Sequence, residues 1–562
     1  MPPQDRQPVA PLGQASAPSE EQRRDALGGW LRRGLVALVL GGLGVAYVAT
    51  VPRAWHPTPD GACYLIIGRS LARGEGYTFA GAPVGKRPPV FPLIVAAGHA
   101  ASGGDVRGVR QVVAALGVAA LAAAYALVRA REGTGAALAV VLLTATCSWF
   151  WWYAAGWVLA EVPYAFFSLA ALWFAERELR SQAFSLARWL VVALMVVVAT
   201  YTHMVGSALT PALVCGALFA PRPRRPMRRR LLAALLVGAV GSAATLGWLA
   251  RGQMLRRTRR ASSYTTLVRA ASRRTIAYPA ARLKRRVREW TATPLSLEWD
   301  EVAWPAGAGA LALLVAPGLA WGFRRHRSCA EFYLCTHFLI ATFVGGGHGH
   351  ERYVVPVVPL LLYYGYLSLR VLGAGAARLL GLQGGQKEPA LGCLARVLLT
   401  AVLLAILCAA IYYRVRGKHG AVHFSRPRQA ETRARRASWE EAARWVERRL
   451  PPHAVLWSNT TVATYYTERR AQVNAFLVRP RGILKHMSRC GADYVLADST
   501  RMAHGLGDTL EAAPQAFVLL EQNDHCRLYR VDREALERAL ERSKARRRRP
   551  QARRPASPSN TT

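Results

Sequence analysis

Asp60, Lys86 and Arg87 fall in one segment, residues 52–92, which reads PRAWHPTPDGACYLIIGRSLARGEGYTFAGAPVGKRPPVFP and lies between two apolar runs. An aspartate held at a membrane surface can accept a proton, and a Lys-Arg corner beside Pro88-Pro89 can hold an anion. Together they suit sugar transfer from a lipid phosphate. Glu161, in Trp157-Val158-Leu159-Ala160-Glu161-Val162-Pro163, opens an apolar helix. There a carboxylate costs about 2.5–3.5 kcal/mol at mid-depth and less near an interface. Arg352 and Tyr353 precede a Val-Pro run at another membrane boundary, and His203 sits in a turn between two apolar stretches. His348, His350 and Glu351 offer neutral imidazole and carboxylate ligands to a divalent metal. Each position also has a structural reading. Asp is a preferred helix N-cap, Lys-Arg pairs mark membrane edges, a helix-initial glutamate suits the macrodipole, and histidines lie at interfaces without binding anything.

The elements that must position these groups follow from pattern. Pro59-Asp60, then Leu65, Ile66, Ile67 and Leu71, then Gly74, predict a short amphipathic helix along the membrane surface, N-capped by Asp60 and stopped by glycine. The hydrophobic fraction of 52% is clumped into runs long enough to cross a bilayer, so the chain reads as an all-α polytopic membrane protein. Its apolar runs suggest about 11–13 membrane-crossing helices. Residues 88–101 are short for a span and open on Pro88-Pro89-x-x-Pro92, the mark of a re-entrant or broken segment.

The formal charge of +41, from 74 Lys+Arg against 33 Asp+Glu, lies mainly in loops and tails beside apolar runs. That placement points to anionic lipid headgroups and away from nucleic acid, for which no zinc-finger or RNA-binding signature is present. The nine cysteines include no CxxC pair and imply neither a metal site nor a disulfide framework. Residues 1–29 read as a disordered cytoplasmic head and 30–413 as the membrane domain, with an external loop at 52–87 and a long basic, aromatic-rich loop at 251–304. That long loop is placed to close over a lipid-linked substrate. Residues 414–540 read as a small α/β module outside the membrane, and 541–562 as a basic disordered tail. In the module, Ser438 opens a helix with Ala442, Trp445 and Val446 on its apolar face, and strands are expected at 454–457, 494–497, 517–521 and 527–531.

The pattern Asp60, Tyr64, Ala72, Gly74, Gly76-Tyr77 and Pro88-Pro89-x-x-Pro92 resembles the first external loop of the GT-C glycosyltransferases. The bacterial relatives of protein O-mannosyltransferases and lipid A aminoarabinose transferases are the members it is most like. Arg352-Tyr353-x-x-Pro356-x-x-Pro359 is similar to the helix entry of that family whose Arg reaches the donor phosphate, and Glu161 matches a family acid facing the donor. The resemblance implies an inverting transferase in the cell (inner) membrane that uses a polyprenyl phosphate sugar and a glycan, lipid or protein acceptor. It makes Asp60 the general base, Glu161 a catalytic acid residue, and Lys86, Arg87, Arg352 and Tyr353 the donor phosphate site, with Tyr64 and His203 in the cavity. One departure is that the family's common Asp-Glu or Asp-Asp pair is Asp60-Gly61 here, which puts dependence on a divalent metal in doubt. A lipid or polysaccharide transporter is the alternative class. A scaffold presenting the C-terminal module is a third.

Overall fold

A computed structural model describes residues 20–53, 55, 57–181, 183–220, 226–257, 279–295, 302–344, 351–379, 426–468, 472–474, 480–499, 502 and 505–548. Five helices among these are long and apolar enough to cross a membrane: Gly28–Ala49, Val106–Glu132, Met227–Leu255, Pro305–Arg325 and Val355–Gly375. Thr134–Ala145 and Ser148–Gly156, bent by 67° at their junction, would make a sixth if they serve as one span. The other apolar runs fold into shorter helices, among them Val90–Ala101, Leu186–Thr202, Met204–Phe219 and Cys329–Thr342. At about 1.5 Å per residue, 17 residues reach about 25 Å, the short end of what crosses a hydrocarbon core of about 30 Å. The expected span at 391–413 lies outside the described residues.

The first helix, α1, is Glu20–Ala49, so helix already covers part of the expected head. Helix α2 is Pro59–Ala72, a two-stranded hairpin pairs Thr78–Phe79 with Ala82–Pro83, and α3 is Val90–Ala101. Helix α4, Val106–Glu132, buries Val109, Val113, Ala114, Ala120, Leu121 and Ala124 and packs against α1, α3 and the helix Glu161–Arg180. Gly117 permits that packing, since a Cβ there would sit 3.0 Å from the Ala154 methyl and 3.3 Å from Val162. Arg110 on the same helix is 1% exposed and donates to the carbonyls of Pro52 at 2.8 Å and Ala155 at 3.0 Å. It ties the entry of the Asp60 loop to the turn that precedes Glu161.

One expectation about α2 changes. Its N-cap is Thr58, whose hydroxyl accepts from Gly61 N at 3.0 Å, with Pro59 at the first turn. Proline at that position leaves Asp60 inside the helix, free of the capping task. The helix is packed on two sides: Tyr64 and Leu65 belong to the membrane-domain core, while Ala62 packs with Trp439, Val462 and Leu528 of the C-terminal module. The glycine stop is present, with Gly74 at φ +73° and the Glu75 amide bonded to the Ser70 carbonyl.

The C-terminal module carries a five-stranded sheet. In chain order its strands are Leu456–Ser458, Gln472–Asn474, Tyr494–Asp498, Phe517–Gln522 and Cys526–Val531. The first pairs in parallel with the second and third, and the last three pair antiparallel. The strand 472–474 was not foreseen, because three residues give too little alternation to read. Helix Arg426–Arg449 runs straight through Ser438, which therefore does not start it; Ala442, Trp445 and Val446 are buried as expected.

A second buried charge cluster lies far from Asp60. Arg131, fully buried, pairs with Glu176 and Glu331, and Glu331 also accepts from the Ser328 hydroxyl and, at 2.9 Å, from Tyr364. It joins helices Val106–Glu132, Glu161–Arg180 and Cys329–Val344. Removing the cation would leave Glu331 buried without its ion pair and Glu176 with only Arg180, at 3.4 Å. Arg131→Met is expected to cost about 3–5 kcal/mol of stability in detergent unfolding. Arg436→Ala, which breaks the exposed pair with Glu440, is expected to cost no more than about 1 kcal/mol. Equal losses in the two variants would show that the buried network is not a structural clamp.

Candidate active site

Three segments distant in sequence bring charge to one point. Asp60 stands in the first turn of α2, Glu161 at the start of helix Glu161–Arg180, and Arg352 in the short turn Glu351–Tyr353. Arg352 donates through Nε to Glu161 Oε1 at 2.5 Å and through Nη1 to Asp60 Oδ2. Arg87 takes the other oxygen, Oδ1, of Asp60 and lies over the Tyr64 ring, 5.1 Å from its centre, with Nη1 3.5 Å from the Tyr64 hydroxyl. Burial works against ionising Asp60, but the Arg87 and Arg352 charges outweigh it and hold the carboxyl well below the usual range. Burial pushes the Tyr64 hydroxyl up to about 12, so it is a neutral hydrogen-bonding group. Lys86, half-buried next to this set, has no hydrogen bond or ion pair among the described residues. Burial and the neighbouring Arg87 lower its pKa, and Asp60 partly restores it.

His203 stacks on Tyr164 with ring centres 5.6 Å apart. Its Nδ1 accepts from Val205 N at 3.3 Å, which turns Nε2 toward Glu161 Oε1, 3.9 Å away. Tyr164 in turn meets Tyr333 and His337 Nδ1 at 2.7 and 3.2 Å, and His337 Nε2 donates to the Tyr353 carbonyl at 2.7 Å. The turn carrying Arg352 is thus fixed by a chain of hydrogen bonds reaching back to the Glu161 helix. Glu161 is 1% exposed, and its Oε2 has no hydrogen-bond partner among the described residues. A buried carboxylate oxygen without a donor is costly unless a ligand supplies one.

Asp60, Tyr64, Arg87, Glu161, His203 and Arg352 therefore converge, with Lys86 and Tyr353 beside them. His348, His350 and the Glu351 side chain lie outside the described residues. Among the described residues no group of three His, Cys, Asp or Glu could hold a metal, and the position between Asp60 and Glu161 belongs to the Arg352 guanidinium. Tyr77, part of the motif read in the sequence but given no role there, donates its hydroxyl to the Arg87 carbonyl at 2.7 Å, and Arg251, which sequence reading did not single out, donates to the Val84 carbonyl and lies over Tyr77 and Trp248. Sequence reading also missed the contribution of the C-terminal module. Thr461 donates to the Pro59 carbonyl, Glu468 pairs with Arg69, and Tyr465 lies beneath the Arg69 guanidinium at 4.3 Å. No local motif marks such contacts, since they join residues about 400 positions apart.

Residues 86–248 match the family model described as dolichyl-phosphate-mannose-protein mannosyltransferase. No curated protein matches the sequence. Among solved structures, ArnT from Cupriavidus metallidurans bound to undecaprenyl phosphate is similar with a TM-score of 0.54 and 16% identity, over 88% of this chain and 98% of that one. The same protein in its apo state gives a TM-score of 0.52 and 17% identity, over 91% and 99%. The archaeal oligosaccharyltransferase AglB from Archaeoglobus fulgidus, in complex with an inhibitory peptide and a dolichol-phosphate, gives 0.54 and 13%, over 90% and 75%. The chain has the fold of the GT-C membrane glycosyltransferases.

The glycine after Asp60 has a steric cause. A Cβ on Gly61 would lie 3.0 Å from the Thr58 hydroxyl that caps α2 and 3.3 Å from the Val158 carbonyl. Gly61→Asp, which would rebuild an acid pair, is expected to destabilise the protein by about 1–3 kcal/mol and to gain no stability from added Mn2+. Thermal unfolding with and without the ion checks this. A variant as stable as the parent and further stabilised by Mn2+ would show that the site can accept the missing acid.

Proposed function

We propose that this protein transfers a sugar from a polyprenyl phosphate-linked donor to an acceptor hydroxyl at the membrane face that carries Asp60, in the inner membrane with the C-terminal module outside. The observation that carries the proposal is the sharing of one aspartate between two arginines, with an unpaired lysine alongside and an undonated buried glutamate oxygen opposite. The match of residues 86–248 to a dolichyl-phosphate-mannose-dependent family, and the likeness to a structure bound to undecaprenyl phosphate, support it.

Arg87, Arg352 and Lys86 bind the phosphate of the donor. Each phosphate oxygen competes with Asp60 for the same N–H groups, so the arginines turn from carboxylate to phosphate as the donor enters. Asp60 thereby becomes more basic when it is needed. It takes the proton of the acceptor hydroxyl, the acceptor oxygen attacks the anomeric carbon, and the carbon–oxygen bond to phosphate breaks with its electron pair going to the phosphate oxygen. Attack from the face opposite the leaving group inverts that carbon. The added negative charge on the departing polyprenyl phosphate is met by the three cations, an interaction stronger in the transition state than in the ground state. Glu161 Oε2 accepts from a hydroxyl of the donor sugar, with His203 and Tyr164 walling that side. Tyr353 orients Arg352, over whose ring the guanidinium lies at 5.6 Å.

Asp60→Asn is expected to lower turnover about 10²–10⁴-fold in nanodiscs supplied with a polyprenyl phosphate sugar. The same variant should bind polyprenyl phosphate as tightly as the parent or more tightly, because the carboxylate no longer competes for Arg87 and Arg352. Arg352→Ala should lose both binding and transfer. Near-normal turnover in Asp60→Asn, or unchanged donor binding and transfer in Arg352→Ala, would remove these residues from the mechanism.

The pH profile reads the same exchange. In the free protein the two arginines hold the Asp60 carboxyl low; in the donor complex they are shared with phosphate and its pKa rises. The acid limb of kcat, which reports the complex, should therefore lie at higher pH than that of kcat/KM, which reports the free protein. Coincident limbs would mean that the arginines do not leave Asp60.

A further inference from the structure

At the end of the membrane domain opposite Asp60, α1 and α4 do not close on each other. A groove of about 540 Å³ separates them, lined by Arg32, Arg33 and Arg129 and by Val36, Ala37 and Tyr125. No carboxylate lines it, and none of the three guanidinium groups has an acidic partner among the described residues. Arg32 and Arg33 donate through Nε to the carbonyls of Gly28 and Gly29, at 3.0 and 3.2 Å, and Arg33 lies over the Trp30 ring at 4.9 Å, while their Nη groups have no hydrogen-bond partner among the described residues. Arg129 lies over the Tyr125 ring at 5.9 Å. Three exposed arginines so close together repel one another unless an anion sits between them.

The groove opens sideways along α1, and only 6% of that span is buried within the protein. The lining beside the arginines is apolar at Val36 and Ala37, and on the other face of the same helix Leu31, Leu35 and Leu38 are 66%, 52% and 73% exposed, as suits a span standing in lipid. A soluble anion would use the charges and leave the apolar lining uncovered. We infer that the groove binds the headgroup of an anionic phospholipid of the leaflet opposite the active site, its acyl chains lying along α1. The phosphate takes the Nη groups of Arg32, Arg33 and Arg129. The lipid fills the gap that α1 and α4 leave, and it holds the weakly packed first span against the domain. This inference does not depend on the reaction catalysed at Asp60.

The test uses full-length protein in a neutral detergent, titrated with phosphatidylglycerol, phosphatidylcholine or inorganic phosphate while thermal unfolding is followed. Phosphatidylglycerol should raise Tm saturably, and phosphatidylcholine and inorganic phosphate should not. In the variant Arg32→Gln/Arg33→Gln/Arg129→Gln its apparent affinity should fall on the order of a hundredfold, as expected for three basic residues near a lipid surface. The control Arg228→Gln/Arg229→Gln removes exposed arginines at the start of helix Met227–Arg257, outside the groove, and should bind as the parent does. Native mass spectrometry of the same samples gives lipid occupancy directly, should the triple variant fold poorly. An equal loss in the control would reduce the effect to general surface charge and overturn the inference. So would a comparable Tm shift with inorganic phosphate, which would make this a soluble-anion site.

Discussion

The Arg352 guanidinium is the constraint on which the rest of the site depends. It bridges Glu161 and Asp60, which lie 191 and 292 residues away in sequence. Without it, a carboxylate that is 1% exposed would face a second one with nothing between them. With Arg87 added, two carboxylates and two guanidinium groups sum to neutrality, and that balance makes so much buried charge tolerable. Lys86 is the surplus. In the proposed reaction one extra cation beside a neutral cluster matches a phosphodiester monoanion, and the surplus would become more favourable as bond cleavage adds charge to the phosphate.

Such a cluster works only if its members approach from fixed directions, and α2 shows how direction is imposed. The helix is clamped from two sides, by the membrane domain at Tyr64 and Leu65 and by the C-terminal module at Ala62. Close approach to α3 is possible because residue 68 is glycine, where a Cβ would fall 2.5 Å from Val95 Cγ1. Thr461, Glu468 and Tyr465 then hold the helix from the far side. The C-terminal module is therefore part of the frame of the site, and a truncation before residue 426 would loosen Asp60 as well as remove a domain.

The sequence made legible what is local. Asp60, Arg87, Glu161 and Arg352 could be read from charges placed at apolar boundaries and from a family resemblance, and the strands of the C-terminal module from alternating runs. What it hid was geometric. Asp60 looked like a helix cap because Asp commonly caps, yet Thr58 two residues earlier satisfies the Gly61 amide and frees the carboxylate for the arginines. Apolar runs of span-like composition folded short, since helix length depends on where turns interrupt, as at His203. His337 lies in the apolar stretch EFYLCTHFLIATF, where a lone histidine carries no pattern that distinguishes a packing role from orienting the Arg352 turn.

The helix Glu161–Arg180 relates the two polar ends of the membrane domain. Residues 162–175 carry no charged side chain, while Glu161 belongs to the active-site cluster and Glu176 and Glu178 to ion pairs at the other end. A transporter needs polar groups along the path it opens, and between its ends this helix offers no charge, only the buried hydroxyls of Tyr164 and Ser168, the first bonded to Tyr333. Buried ion pairs at one end clamp the helices, and the shared aspartate at the other is poised to exchange partners. The first arrangement resists change because Arg131, Glu176 and Glu331 satisfy one another together with Ser328 and Tyr364. The second invites a ligand because Lys86 and Glu161 Oε2 are not satisfied, which concentrates reactivity at a single face of a domain that is otherwise apolar.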